Sequence, residues 1–170
     1  CEHLLHLSLD EIMKQNKTAL FPGSFDPFTI GHEAILTRAA NLFDEIIIGI
    51  GFNSEKKGFF PIEKRLDIIR KVCKSFDNVS VDTYSALTVQ YCEEKNIHYI
   101  LRGLRTAADF EFERAVAQMN RKLKQDIETV FLLTEPDYTP VSSSVIREIL
   151  RYGGNVDQFI PKSVNIQDYL

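Results

Sequence analysis

Residues 23–32 combine the features best suited to binding an anion. The run Gly-Ser-Phe-Asp-Pro-Phe-Thr-Ile-Gly-His follows a short apolar strand pattern at 19–21 and precedes a segment, 33–43, with apolar residues at helical spacing. A strand, a tight loop and a helix in this order direct backbone N–H groups and the positive end of the helix dipole at a ligand. His32 stands at the predicted helix start, where it can donate a hydrogen bond to a phosphate oxygen and carry positive charge near neutral pH. The sequence therefore predicts a phosphate site at this loop.

Two further candidate anion sites also follow strand patterns. Arg102 and Arg105 bracket Gly103 directly after an apolar run at 98–101, and paired guanidinium groups suit bidentate phosphate binding. Three serines at 142–144 precede a helical pattern at 145–151. One serine suffices as an N-cap, so three favour a second helix end that binds an anion.

Other charged residues leave alternatives open. Lys56 and Lys57 lie in a polar loop after the strand pattern at 45–51, where a phosphate contact and a solvated lysine pair are equally compatible with the sequence. Asp109 and Glu113 share one face of the helix predicted from Thr106 to about Lys124. Acidic residues near a helix start usually interact with the helix dipole. These two could equally bind Mg²⁺ or the hydroxyl groups of a ribose.

The elements that position these side chains alternate between strand and helix about every 30 residues. Strand patterns at 19–21, 45–51, 79–82, 98–101 and 127–133 are separated by helical patterns. Right-handed crossovers then predict an α/β fold: a single-domain five-stranded parallel sheet, Rossmann-like, with helices on both faces. We expect residues 1–16 to be an N-terminal extension and residues 17–170 to form the domain.

One of these helices begins at Pro61. Its spacing predicts an inner face formed by Ile62, Leu66, Ile69 and Cys73. The charged residues between them are expected to be solvated: Glu63, Lys64, Arg65 and Asp67.

Composition narrows the function classes. A net charge of -4 and a pI near 5.6 argue against nucleic acid as the main partner. Three widely spaced cysteines predict neither a disulfide framework nor a zinc cluster, and no residue is assigned as a metal ligand. With neither an apolar run of membrane-spanning length nor a visible signal peptide, we expect a cytoplasmic protein without a membrane partner.

The motifs together resemble those of known nucleotidylyltransferases. Gly-Ser-Phe-Asp-Pro followed by Thr-Ile-Gly-His is similar to the signature of that superfamily, and residues 101–114, 118–121 and 141–147 resemble the phosphopantetheine adenylyltransferases. The resemblance spans about Lys17 to the C-terminus. It implies transfer of the adenylyl group of ATP to 4′-phosphopantetheine, with Mg²⁺, giving dephospho-coenzyme A and pyrophosphate.

The resemblance also implies roles for individual residues. His32, Lys56 and Arg102 would be catalytic, and Ser24, Lys56, Thr88 and Arg102 would bind phosphopantetheine. The residues that would bind ATP are Ser24, Phe25, His32, Gly103, Leu104, Arg105, Glu113, Tyr138, Thr139, Pro140, Val141, Ser142, Ser143 and Ser144. Two positions depart from the usual pattern, because Ser24 stands where threonine is more usual and Thr88 where an apolar residue can occur.

The family also implies a homohexamer. Two other functions remain open at the level of sequence. One is a sister nucleotidylyltransferase acting on nicotinamide mononucleotide or on a glycerol or choline phosphate, and the other is a non-catalytic sensor of a nucleotide or coenzyme A.

Overall fold

The computed structural model describes residues 16–52 and 58–170. These residues contain a five-stranded parallel sheet in the order β3-β2-β1-β4-β5, which confirms the predicted α/β fold. The strands are β1 (Thr18–Gly23), β2 (Glu45–Gly51), β3 (Val79–Tyr84), β4 (Tyr99–Leu104) and β5 (Glu128–Leu133). The predicted extension at 1–16 lies, apart from Asn16, outside the described residues.

Helices connect the strands as the alternating pattern predicts. They are α1 (Ile30–Ala39), α2 (Ile62–Cys73), α3 (Thr88–Glu94), α4 (Ala107–Leu123) and α5 (Ser143–Arg151). A short 3₁₀ turn at Pro136–Tyr138 precedes α5, and two more at Asp157–Phe159 and Ile166–Tyr169 follow it. Within the described ranges, none of the helices combines the length and apolar character needed to cross a membrane.

Side chains alternate between the two faces along each strand, so both faces of the sheet carry apolar residues. Helices cover each of these faces. On β1, Ala19 and Phe21 belong to a core cluster that includes residues of α1, α2 and α5. Leu20, between them, belongs to a second cluster with residues of α3. On β5, the Phe131 ring packs against Phe110 of α4, with 6.1 Å between the ring centroids. Its neighbours on the strand, Val130 and Leu132, pack on the first cluster.

The strand order places a crevice beside β1. The chain winds from β1 through β2 to β3 in one direction, and then continues on the other side of β1 with β4 and β5. Ligands in open parallel sheets bind outside the carboxyl ends of the strands at such a reversal. The segments that follow β1 and β4 therefore meet where a site is expected.

The prediction that the charged side chains of α2 are solvated is wrong at one position. Arg65 is only 7% exposed and lies on the inner face of α2 together with Ile68, Ile69 and Val72. The residues expected there, Ile62, Leu66 and Cys73, are only partly buried. The cause is a contact that periodicity does not reveal, since Arg65 Nη1 donates a hydrogen bond to the carbonyl oxygen of Ser24 at 2.8 Å.

Candidate active site

The loop after β1 ends in a capped helix that fixes His32. Thr29 is the N-cap of α1, and its hydroxyl accepts a hydrogen bond from the backbone N–H of His32 at 3.3 Å. In return, the backbone N–H of Thr29 donates to Nδ1 of His32 at 3.1 Å, which completes a capping box. Because Nδ1 accepts this bond, the proton of the neutral imidazole lies on Nε2.

Aromatic rings enclose the imidazole. The rings of Phe25 and Phe28 lie 5.1 and 5.2 Å from it between centroids, and that of Phe21 lies at 6.4 Å. Burial, followed by the positive charges of Arg105 and Arg102, lowers the pKa of His32 to about 4. The imidazole is therefore neutral near pH 7, in contrast to the positive charge considered from the sequence, and it acts as an Nε2–H donor.

We expect an NMR titration of histidine-labelled protein to show His32 neutral down to about pH 4. A bound triphosphate should raise this pKa, because nearby negative charge favours the imidazolium. Since the folded pKa lies below the unfolded value of about 6.5, the unfolded chain takes up the proton first. The contribution of His32 to stability is therefore complete above about pH 6.5 and is lost as the pH falls toward 4. A ligand-free pKa above 6 would contradict this account.

His32 lies in a polar pocket of about 330 Å³ at the carboxyl ends of β1 and β4. The start of α5 forms the opposite wall, where Ser142 is the N-cap and accepts a hydrogen bond from the N–H of Val145 at 3.2 Å. Two helix N-termini thus face one pocket, and both direct positive dipole ends toward it. The lining residues are Phe21, Pro22, Gly23, Ser24, Phe25, Thr29, Gly31, His32, Ile35, Arg102, Gly103, Arg105, Asp109, Glu113, Thr134, Val141, Ser142, Ser143, Ser144 and Arg147.

A second pocket of about 290 Å³ adjoins this one, and Pro22, Gly23, Arg102 and Glu113 line both. The guanidinium of Arg102 forms a two-point ion pair with Glu113, with Nε 2.8 Å from Oε2, and donates from Nη1 to the carbonyl oxygen of Pro22 at 2.6 Å. The second pocket is more apolar, and its lining includes Tyr84, Thr88, Phe112 and Val116. Arg102 lines both pockets, so its guanidinium can reach a ligand that extends from one into the other.

A second ion pair holds the other arginine of the motif. Arg105 Nε lies 3.2 Å from Oδ2 of Asp109, which also accepts the backbone N–H of Arg105. Asp109 is in the first turn of α4, which is capped by Thr106. The two carboxylates that the sequence left undecided, Asp109 and Glu113, therefore each pair with an arginine of the pocket.

The structure brings most of the predicted ATP site into one pocket and leaves some residues outside its lining. Ser24, Phe25, His32 and Arg105 line the polar pocket, as do Gly103, Glu113, Val141 and the three serines, whereas Thr88 lines the second pocket. Leu104, Tyr138, Thr139 and Pro140 lie outside both linings. Tyr138 is nevertheless close, since a Cβ added at Gly31 would lie 3.8 Å from its Cβ. The predicted roles of Lys56 and Lys57 fall outside the described residues.

Sequence reasoning gave no role to Thr29, Thr134 or Arg147, which also line the pocket. Arg147 donates from Nη1 to the carbonyl oxygen of Asp26 at 2.6 Å and from Nη2 to the hydroxyl of Ser144. Its position three residues after Ser144 places both on one side of α5, a spacing that was available in the sequence. Thr29 carried the signal of an N-cap before Gly31-His32.

Comparisons with known proteins identify the family of the chain. Residues 20–149 match the cytidylyltransferase-like family. The phosphopantetheine adenylyltransferase of Flavobacterium johnsoniae is 50% identical over 151 residues, which are 89% of this chain and 99% of that protein. The protein of the same name from Bacteroides thetaiotaomicron is 47% identical over 150 residues, with 88% and 99% covered.

A solved structure supports the fold. It is described as a nicotinate-nucleotide adenylyltransferase from Vibrio parahaemolyticus and superposes with a TM-score of 0.64 at 18% identity, covering 87% of this chain and 96% of that one. The sequence matches extend over most of the chain. They show that it belongs to the cytidylyltransferase-like family and, within it, to the phosphopantetheine adenylyltransferases.

Proposed function

We propose that this protein transfers the adenylyl group of ATP to 4′-phosphopantetheine, giving dephospho-coenzyme A and pyrophosphate. The observation that carries the proposal is the pair of adjoining pockets, one polar and one apolar, that share Arg102 and Glu113. The reaction joins a triphosphate to the phosphate of a long, largely uncharged molecule. A polar pocket suits the triphosphate, and an adjoining apolar pocket suits the uncharged part of the second substrate. The name of the close relatives agrees with it.

The polar pocket suits the triphosphate. His32 supplies a neutral Nε2–H, Arg105 supplies charge, and the helix ends at Thr29 and Ser142 supply backbone N–H groups. The apolar pocket suits the pantetheine arm, which passes Thr88 and Tyr84, whose hydroxyls lie 3.1 Å apart. Arg102, at the boundary, is placed to bind the phosphate at the end of that arm.

The chemistry needs no protein nucleophile. A phosphate monoester is largely dianionic at pH 7, so one of its oxygens attacks the α-phosphorus of ATP directly. The bond from the α-phosphorus to the bridging oxygen breaks, and pyrophosphate leaves with the electron pair. The enzyme contributes in-line alignment and preorganised donors for the charge that develops on the phosphoryl oxygens. His32 and Arg102 are positioned for that task.

Mg²⁺ fits this site as a companion of ATP. In the part of the chain that the structure describes, no group of three or more His, Cys, Asp or Glu residues has the arrangement of a metal site. The pocket carboxylates are those of Asp109 and Glu113, and each is already paired with an arginine. Mg²⁺ commonly takes one or two carboxylates and otherwise phosphate oxygens and water, so Asp109, the more exposed of the two, is the proposed protein ligand. When bound, the ion would neutralise charge on the triphosphate.

A pyrophosphate-release assay with a panel of acceptors tests the proposal. We expect turnover with ATP and 4′-phosphopantetheine and little with nicotinamide mononucleotide, glycerol 3-phosphate or phosphocholine. Rapid turnover with nicotinamide mononucleotide but none with phosphopantetheine would assign a sister activity. ATP binding without pyrophosphate release for any acceptor would instead indicate a sensor.

We propose that the protein is a homo-oligomer, with the family's hexamer as the expected form. The support is an apolar stripe along α4, formed by Phe112, Val116, Met119 and Leu123, which are between 38% and 69% exposed. Since Phe112 and Val116 also line the apolar pocket, a second copy against this stripe would enclose the pantetheine arm.

Sedimentation velocity should give the mass of six chains of 19.5 kDa. Met119→Asp with Leu123→Asp should shift the protein to smaller species, because two charges would be buried in the interface. Gln118→Asp, on the same helix but off the stripe, should keep the wild-type mass. A wild-type monomer, or an unchanged mass for the double variant, would contradict the proposal.

A further inference from the structure

The loop between β1 and α1 is held by side chains of α2 and α5. Three of its carbonyl oxygens accept hydrogen bonds: that of Ser24 from Arg65 Nη1 at 2.8 Å, that of Asp26 from Arg147 Nη1 at 2.6 Å and that of Pro27 from Ser143 Oγ at 2.8 Å. The Asp26 carboxylate accepts the backbone N–H groups of Phe59 and Phe60 at 2.7 and 2.8 Å. The loop backbone is therefore fixed by polar contacts from two helices and from the segment before α2.

Arg65 is the least expected of these groups. It is 7% exposed, its Nε is buried without a hydrogen-bond partner, and it forms no ion pair with another residue in the described ranges. A buried guanidinium with such incomplete compensation is costly, and an apolar side chain of similar volume would fill the space without that cost. Packing alone therefore does not account for an arginine at this position.

The geometry of one peptide unit supplies a reason. The Ser24–Phe25 peptide is trans, so its C=O and N–H groups point in opposite directions. The C=O group points to Arg65, which is not part of the pocket lining, whereas Ser24 and Phe25 both line the pocket. The N–H of Phe25 therefore points away from Arg65.

Phe25 also adopts a conformation that needs support. Its φ is 44°, in the left-handed region that is uncommon for a bulky residue and costs of the order of 1–3 kcal/mol. Without the hydrogen bond from Arg65, the Ser24–Phe25 peptide would be free to rotate toward a more ordinary conformation. The orientation of the Phe25 N–H away from Arg65 would then be lost.

We infer that Arg65 is a positioning residue, whose guanidinium orients the Ser24–Phe25 peptide so that the N–H of Phe25 donates to a phosphate oxygen of the bound nucleotide. This inference deepens the proposed function and rests on it for the identity of the nucleotide. Arg65 acts through Ser24 and touches no substrate. The pocket thus has a backbone donor from the loop in addition to His32 and the helix ends.

The test follows the Phe25 amide by NMR in protein labelled with ¹⁵N-phenylalanine. α,β-Methylene-ATP serves as the probe, because its α–β link cannot be cleaved. In the wild type the Phe25 amide should move downfield on addition of the probe. In Arg65→Met the ligand-free resonance should already be displaced, the downfield shift should be lost, and kcat should fall about a hundred- to a thousandfold, the effect of losing one preorganised donor.

Two further variants separate positioning from a general effect on folding. Arg70→Met removes an exposed arginine from the same helix and should behave as the wild type. Arg65→Lys keeps a cationic donor near Ser24 and should retain part of both the shift and the rate, which also preserves the test if Arg65→Met does not fold.

Three results would overturn the inference: a ligand-free Phe25 resonance unchanged by the loss of Arg65, an Arg65→Lys variant no better than Arg65→Met, or equal losses in Arg70→Met. Failure of the probe to bind the wild type would contradict the proposed function instead. The ligand-free resonance would still decide whether Arg65 orients the peptide.

Discussion

Replacing His32 by alanine should lower kcat by about two to three orders of magnitude, the range for loss of a group that stabilises charge in a transition state. Nδ1 is occupied by the N–H of Thr29, so the imidazole presents Nε2–H to the pocket. A donor needed mainly as negative charge moves onto the phosphoryl oxygens contributes more to kcat than to ATP binding. Steady-state kinetics with ATP and phosphopantetheine, together with calorimetric titration of ATP, measure the two effects separately.

His98→Ala is the matched control, since His98 lies at the amino end of β4, away from the carboxyl ends of the strands, and should not alter the rate. His32→Gln should recover little of the activity, because the imidazole position is fixed by the capping box. Wild-type turnover in His32→Ala would refute the role of His32. A loss confined to ATP affinity would make His32 a ground-state binding residue.

Replacing Arg102 by alanine should lower kcat/KM for phosphopantetheine by about a hundredfold or more, chiefly through KM. The change removes a charged donor from the boundary of the two pockets and leaves Glu113, whose side chain is only 12% exposed, without its partner. An unpaired carboxylate there would repel the acceptor phosphate. The KM for ATP should change less, because the triphosphate retains His32, Arg105 and the helix ends.

A double-mutant cycle isolates this repulsion. Arg102→Ala combined with Glu113→Gln should recover part of the loss, since the uncompensated charge is gone. Arg102→Lys should retain more activity than Arg102→Ala but less than the wild type, because lysine cannot reproduce the two-point contact. If ATP affinity collapses in Arg102→Ala and the KM for phosphopantetheine does not, the assignment of the two pockets is reversed.

The fold was predictable because the strands carry strong local signals. The isoleucine run at 46–48 reads as a buried strand, and it pairs in parallel with β1 and β3. The loop between β1 and α1 was predictable for a similar reason, since Thr29 and His32 mark a helix start in the sequence and form a capping box in the structure.

Arg65 marks the limit of such reasoning. Its charge predicted a solvated side chain, and only the tertiary contact with Ser24 shows why it is buried. The Arg102–Glu113 ion pair is likewise a tertiary contact that the sequence did not predict. Eleven residues separate the partners, and they lie on different elements, so no local pattern predicts that one carboxylate holds the arginine between the pockets.

The central claim is that two phosphate-bearing substrates meet at the carboxyl ends of β1 and β4. The most direct measurement is a crystal structure of the protein with both α,β-methylene-ATP and 4′-phosphopantetheine bound. We predict the triphosphate between His32 and the serines at 142–144, and the acceptor phosphate beside Arg102 with an oxygen about 3–3.5 Å from the α-phosphorus and in line with the bridging group. A triphosphate bound away from His32, or an acceptor phosphate on the far side of the sheet from it, would contradict the account.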